Sequence, residues 1–235
     1  MKTLKLTAKD FTDRNDRNEY TGDTDVSDFD GHLIIGGGVG RVWFAKICVS
    51  GNLTIEAGTF IEAGTFIEAG TYIKAGTCIK AGSFIEAGTY IKAGTYIKAG
   101  SFIRAGSFIE AGGFIEAGSS IKAGSSIEAG SCIGAGTCIE AGTCIEAGGG
   151  IVAGLSITCK DTLTFKYNLF AGTTPWKQTS DADRTVTCGK LNGGTIQSGL
   201  LVETGLADDD PRAELCERLA RLEVEVSAVR EALAQ

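Results

Sequence analysis

Residues Gly58–Gly82 read GTFIEAGTFIEAGTYIKAGTCIKAG, four near-copies of one six-residue phrase. The phrase continues well beyond this stretch, with an isoleucine at every sixth position from Ile55 to Ile157, eighteen in all. A period of six suits neither a helix nor a heptad. It suits a parallel β-helix, in which short strands alternate with tight corners. Along a strand, side chains alternate between faces. In Thr65-Phe66-Ile67-Glu68-Ala69-Gly70, an inward Ile67 sends Phe66 and Glu68 outward and Thr65 inward. The opposite choice buries every Glu and Lys of the array, at several kcal/mol for each unpaired charge. Ala69-Gly70 is then expected to turn the corner, with glycine supplying positive φ without a Cβ clash. Three hexads close a triangular coil of 18 residues.

The hexad Ile67-Glu68-Ala69-Gly70-Thr71-Tyr72 resembles the hexapeptide-repeat superfamily, whose pattern is an aliphatic residue, a small or acidic one, two variable ones, a small one and another variable one. The resemblance covers roughly residues 53 to 158 and implies a left-handed parallel β-helix, the handedness coming from the resemblance alone. The phrases are also similar to those of uncharacterised bacterial repeat proteins, a similarity that implies no function.

The flanks divide the rest of the chain. Residues 1–52 are expected to form an N-terminal loop and capping strands. The polar stretch Thr12 to Asp30 is the loop, and Leu33-Ile34-Ile35 and Arg41 to Val49 are strands of the first, imperfect coils. Residues 53–158 form the β-helix. Residues 159–207 form a C-terminal β cap, where Thr162–Tyr167, Arg184–Cys188 and Thr195–Val202 alternate as longer strands. Residues 208–235 are expected to be helical, with Asp210 as N-cap and Pro211 at the first position. Leu215, Leu219, Leu222, Val226, Val229 and Leu233 are spaced 4, 3, 4, 3, 4, the seam of a coiled coil. With Leu219 at a, Arg218 and Glu225 fall at g and Glu223 and Arg230 at e. A parallel homo-oligomer then pairs Arg218 with Glu223 and Glu225 with Arg230. A trimer is favoured over a dimer. The expected fold class is therefore an all-β solenoid of triangular 18-residue coils with a C-terminal α-helix forming a short coiled coil.

Composition narrows the function classes. The 235 residues carry a net charge of −7, which lacks the basic footprint of a nucleic-acid binder. No run of 18 apolar residues marks a membrane span. Eight cysteines without a signal sequence read as reduced thiols in a cytoplasm. Most characterised members of the resembled superfamily are acyltransferases with a catalytic His and a loop protruding from the coils. Here the one His, His32, lies outside the array, and no loop interrupts the hexads. His-ligated metal, as in carbonic anhydrases of this fold, needs three. Asp23, Asp25, Asp28 and Asp30 do not fit a calcium loop, whose closing position would fall on Gly37. Gly36 to Gly40 lacks the phosphate-loop lysine and reads as a bend. Cys132, Cys138 and Cys144 fall on three different faces and cannot pair. No catalytic, cofactor-binding or metal residue is expected.

The outward column is more informative. The residue before each isoleucine is aromatic at Phe60, Phe66, Tyr72, Phe84, Tyr90, Tyr96, Phe102, Phe108 and Phe114, then becomes Ser or Cys. Stacked at 18 residues these make three ladders, Phe66-Phe84-Phe102, Tyr72-Tyr90-Phe108 and Phe60-Cys78-Tyr96-Phe114. Such ladders either face a partner or stack within the chain. The residue after each isoleucine forms alternating acidic and basic belts. The expected function is a non-enzymatic, self-associating solenoid rod or scaffold, multimerised by its C-terminal helix and open to lateral or end-to-end assembly. The alternatives are an acyltransferase with a non-His base, or a module that binds glycan or protein through its aromatic ladders. Ice binding is a weaker reading, because the threonine column is expected to point inward.

Overall fold

A computed structural model of the chain describes residues 1–14 and 17–205. Short parallel strands wind into a three-sided tube. On its first face, nine successive pairings join ten strands from Lys2–Leu6 to Lys190–Ser198. At about 4.8 Å per strand the stack is roughly 43 Å long. Strand Thr162–Ala171 pairs with both Ile145–Ala147 and Ile151–Ala153, so it runs around a corner and fuses the first and second faces into one 19-stranded sheet. The third face is a separate nine-stranded sheet. All sequence-expected strands of 159–207 continue this parallel stack.

Most array strands are three or four residues, as in Ile103–Ala105, with Ile and Ala inward and the charged residue between them outward. Isoleucine suits the column because its branched side chain packs on a pleated surface at little rotamer cost. Successive isoleucines along one face, such as Ile85, Ile103 and Ile121, meet in register and are fully buried.

Several expectations are corrected. The corner is Gly-Thr, not Ala-Gly: Ala69 is buried, whereas Gly70 and Thr71 are exposed. Thr65, Thr71 and Thr89 therefore point outward, and Thr59 is the buried exception, its hydroxyl donating to the Gly36 carbonyl at 2.9 Å. From Gly64 to Gly154 the array glycines are also not there for positive φ, which is confined to Gly38, Gly40, Gly58, Gly172, Gly193, Gly199 and Gly205. They are there for close approach. A Cβ on Gly100 would lie 1.9 Å from the carbonyl oxygen of Gly82, one coil earlier. The corners thus close onto each other, and their amides bond between coils, as Gly100 N–H to Ala81 O at 3.1 Å and Ser101 N–H to Ser83 O at 2.6 Å.

The regular coil begins later than the isoleucine period suggests. Ile73 pairs with Leu53, twenty residues earlier, and Ile55 stands opposite Ala75. Val42 pairs with Ile61 and Ile47 with Ile67, so the first coils hold 19 or 20 residues. The longer circumference makes room for two large inward residues per side, as Leu53/Ile55, Val42/Phe44 and Ile47/Val49. Within the expected loop Thr12–Asp30, strands Phe11–Arg14 and Arg17–Tyr20 form an antiparallel hairpin. Phe11, Tyr20 and Phe44 meet at centroid distances of 5.3–5.9 Å and plug this end of the tube.

The last correction concerns the C-terminal helix. The described fold is wholly β apart from two 3-10 turns and contains no α-helix, so the all-β solenoid stands without a helical coiled coil. The seam residues Leu215, Leu219, Leu222, Val226, Val229 and Leu233, with Arg218, Glu223, Glu225 and Arg230, lie outside the described residues.

Candidate functional site

Because Ile and Ala fill the interior, all chemistry belongs to the outer columns. The aromatic column stacks within the chain. Phe66, Phe84 and Phe102 follow one another at 4.8 and 4.9 Å with ring planes within 3°. Tyr72, Tyr90 and Phe108 stack at 4.8 and 4.9 Å with ring planes within 8°, and Tyr96 and Phe114 at 5.0 Å. Parallel in-register strands force this geometry, and each pair contributes about 0.5–1.5 kcal/mol beyond area burial. Lys46 sits over the first ring, Phe66, at 5.9 Å. Tyr72 and Tyr90 are buried, and Phe66, Phe84, Tyr96, Phe102 and Phe108 are half-buried. Phe60 and Phe114 are the exposed members, at 41% and 38%. Cys78, buried, interrupts the ladder between Phe60 and Tyr96.

The charged column also pairs between coils. Lys80 meets Glu62 at 2.7 Å, Lys92 Glu110 at 2.8 Å, Lys98 Glu116 at 2.9 Å and Lys122 Glu140 at 2.6 Å. Arg104 meets Glu86 at 3.7 Å. The pairs are exposed or only partly buried, and an exposed pair is worth at most about 1 kcal/mol. The belts seen in the sequence are thus tied along the rod axis.

The residues considered for catalysis are engaged structurally. His32 is half-buried at the first face, and its Nδ1 accepts the Asn52 N–H at 2.9 Å. Asp25 accepts from the Ser27 hydroxyl and amide, which holds its carboxyl below the usual range. Asp30 accepts the Ser50 hydroxyl at 2.7 Å. Among the described residues, no three His, Cys, Asp or Glu side chains converge on a common point. The Gly36–Gly40 segment is a bend: Gly37 N–H donates to Glu56 and Gly38 N–H to the Ala57 carbonyl. Cys132, Cys138 and Cys144 are free thiols. Cys159 and Cys188 are buried inward neighbours, and burial, with Cys188 and Cys144 close by, pushes the Cys159 thiol up to about 12. A thiol so far from ionisation is a poor nucleophile. Among the described residues no helix is long and apolar enough to cross a membrane.

Two shallow clefts mark the surface. One, about 380 Å³, lies at the N-terminal end between Tyr20, Trp43 and the acidic loop Asp23–Asp25. The other, about 420 Å³, lies on the second face between Phe114, Cys132, Gly134 and Val152. Sequence reasoning passed over Gly134 and Val152. The signal was present: Ile133-Gly134-Ala135 and Ile151-Val152-Ala153 put uncharged residues into a column filled by Glu, Lys and Arg everywhere else from Glu56 to Glu146.

Comparison with protein-family models, with curated proteins and with solved structures found no match to this chain.

Proposed function

We propose that the protein is a non-enzymatic structural element, a stiff solenoid rod that associates with copies of itself and serves as a spacer or scaffold. Its coils wind left-handed, as the resemblance to the hexapeptide-repeat superfamily implies, and it works in a reducing compartment, the cytoplasm, where the separate thiols of Cys132, Cys138 and Cys144 stay free. The observation that carries this reading is the repetition of one coil–coil contact in every column: buried isoleucines, stacked rings, ion pairs and corner amides all join residues 18 apart. Side chains spent on joining coil to coil make a rigid body whose length is set by the number of hexads. Association is lateral rather than end-to-end, because each end carries features that oppose continuation of the ladder.

Multi-angle light scattering after size exclusion tests the reading. A mass of two or more chains, with no acyl transfer from acetyl-CoA across a panel of amine and hydroxyl acceptors, is the expected result. A single-chain mass at every concentration, or robust acyl transfer, overturns it.

A further inference from the structure

The two ends of the tube are finished differently. At the first end the inward aliphatics Leu6, Leu33 and Ile35 are buried, and Phe11 and Tyr20 of the hairpin pack against the same core. At the other end each core column stops on one aliphatic residue. Leu191 stands over Leu163 on the first face, Ile196 over Leu169 on the second and Leu201 over Val186 on the third. Leu163, Leu169 and Val186 are fully buried, whereas Leu201 is 36% exposed and Leu191 and Ile196 are half-buried. Leu200 and Val202 flank Leu201 at 46% and 41%. Among the described residues, Lys190–Ser198 and Leu200–Glu203 each pair on one side only. The last coil is therefore an apolar floor open to solvent, its exposed aliphatics gathered at one end rather than scattered singly.

A further strand is poorly placed to cover this floor. The Leu191 N–H is already taken by the Glu203 carboxylate at 2.7 Å, and the register of Lys190–Ser198 shifts along its length. What the floor lacks is side-chain cover. The chain itself leaves from the rim. The Thr204 N–H donates to the Cys188 carbonyl at 2.9 Å, and Gly205 follows at φ +81°. A Cβ on Gly189 would lie 2.7 Å from the Gly205 carbonyl oxygen and 2.5 Å from that of Lys160. The exit is thus stacked on the corner that joins the third face to the first.

Residues 206–235 start at that corner. They open on Leu206 and carry the aliphatic series from Leu215 to Leu233. One side of the tube is a hexad long, roughly 20 Å, so the segment has ample length to cross it. A tether this short holds its residues at an effective concentration on the order of millimolar, against which an untethered partner competes poorly. The charges agree. Asp208-Asp209-Asp210 follows the exit closely, and Lys160 and Lys190 are exposed at the same corner and in no ion pair among the described residues. We propose that residues 206–235 cover the floor within the same chain, with their aliphatic side chains on Leu191, Ile196 and Leu201 and the aspartate run beside Lys160 and Lys190. Such a cover removes the open end of the core from water and adds no strand to the ladder.

The cover is made within one chain and does not depend on the self-association proposed above. Hydrogen exchange read by mass spectrometry compares the full chain with its triple variant Leu215→Ser, Leu219→Ser, Leu222→Ser across a dilution series. Binding of anilinonaphthalene sulfonate, a dye for exposed apolar surface, is read on the same samples. In the variant, amides of 190–204 are expected to exchange about tenfold faster or more and the dye to bind more strongly, while amides of 103–158 are unchanged. The wild type is expected to exchange at the same rate at every concentration. Equal exchange at 190–204 and equal dye binding in the two proteins overturn the cover. Protection of 190–204 that falls when the wild type is diluted assigns the cover to a second copy and overturns its placement within the chain.

Discussion

Replacing one array glycine by alanine separates close approach from backbone freedom as the reason for its presence. In Gly100→Ala, the new Cβ would sit 1.9 Å from the Gly82 carbonyl oxygen. A carbon–oxygen contact needs about 3.3 Å, so the two coils must part locally by more than about 1 Å. Two corner bonds stretch beyond use, Gly100 N–H to Ala81 O and Ser101 N–H to Ser83 O. Each is worth about 0.5–1.5 kcal/mol. Overpacking strain adds about 1–3 kcal/mol, and the stiffer unfolded chain returns about 0.4–1 kcal/mol. The net loss is roughly 2–4 kcal/mol, a fall of about 1–2 M in the urea midpoint. Gly134→Ala is the matched control, since its Cβ meets nothing within 4 Å. There the unfolded-state effect acts alone, and the midpoint is expected to rise by a few tenths molar. Equal shifts of the same sign in the two variants would refute the close-approach argument and return the array glycines to a role in backbone conformation.

Ile103→Ala, in the middle of a fully buried column, is expected to cost about 2–5 kcal/mol by the same urea assay, because neighbours above and below hold the cavity open. Lys98→Met removes the pair with Glu116 and is expected to change stability by less than about 1 kcal/mol, a difference that disappears in concentrated salt. Asp183 is held at about 2, from an ordinary 3.8, first by Lys177 and then by the Ser180 donors. A depressed carboxyl stabilises fully above its ordinary value and loses that contribution as pH falls through the folded one. Hydrogen exchange of the 173–184 loop is therefore expected to speed up as pH falls from 4 to 2 in the wild type, beyond the intrinsic rate change, and to lack this step in Asp183→Asn. Cys132 is expected to react with an aromatic disulfide reagent in the folded protein, whereas Cys159, buried with its thiol pushed up to about 12, reacts only on unfolding.

The isoleucine period identifies the tube, because burying Ile rather than Glu decides which side of every strand faces in. It does not say where the corner falls. Alternation carried one residue too far puts Thr65 inside, but the strand ends at Ala69 and the chain bends through Gly70-Thr71 before alternation can continue. The corner glycine is legible from the hexad but its reason is not, since a Cβ on Gly70 would lie 2.1 Å from the Ser50 carbonyl oxygen of the preceding coil, a contact invisible in one hexad taken alone. Ile55 likewise keeps the sequence period while leaving the structural column, because Leu53 and the two extra residues of its coil take that place. The ladders were legible as 18-residue spacings. How far they are covered was not, because exposure depends on what stands beside each ring on the neighbouring coils, which a single hexad does not show. The groove needed only attention to two hexads that lack a charge.

The ends of the tube explain why a rod with so regular an interior need not polymerise along its axis. An open parallel ladder invites another chain to add to it. At the first end, the antiparallel hairpin and the Phe11, Tyr20 and Phe44 cluster cannot continue a parallel ladder. At the other end, strand Lys190–Ser198 shifts register against Thr162–Ala171, with Gly193 at φ +132°. Glu203 occupies the inward column there, aligned with Cys188, and its carboxylate takes the Leu191 N–H at 2.7 Å. Bulges and an inward charge are devices that blunt a sheet edge. With the interior consumed by isoleucine, the faces tied coil to coil and the ladder blunted at both ends, the apolar floor of the last coil is what remains for side chains to cover, and a cover made within the chain closes the rod without lengthening it.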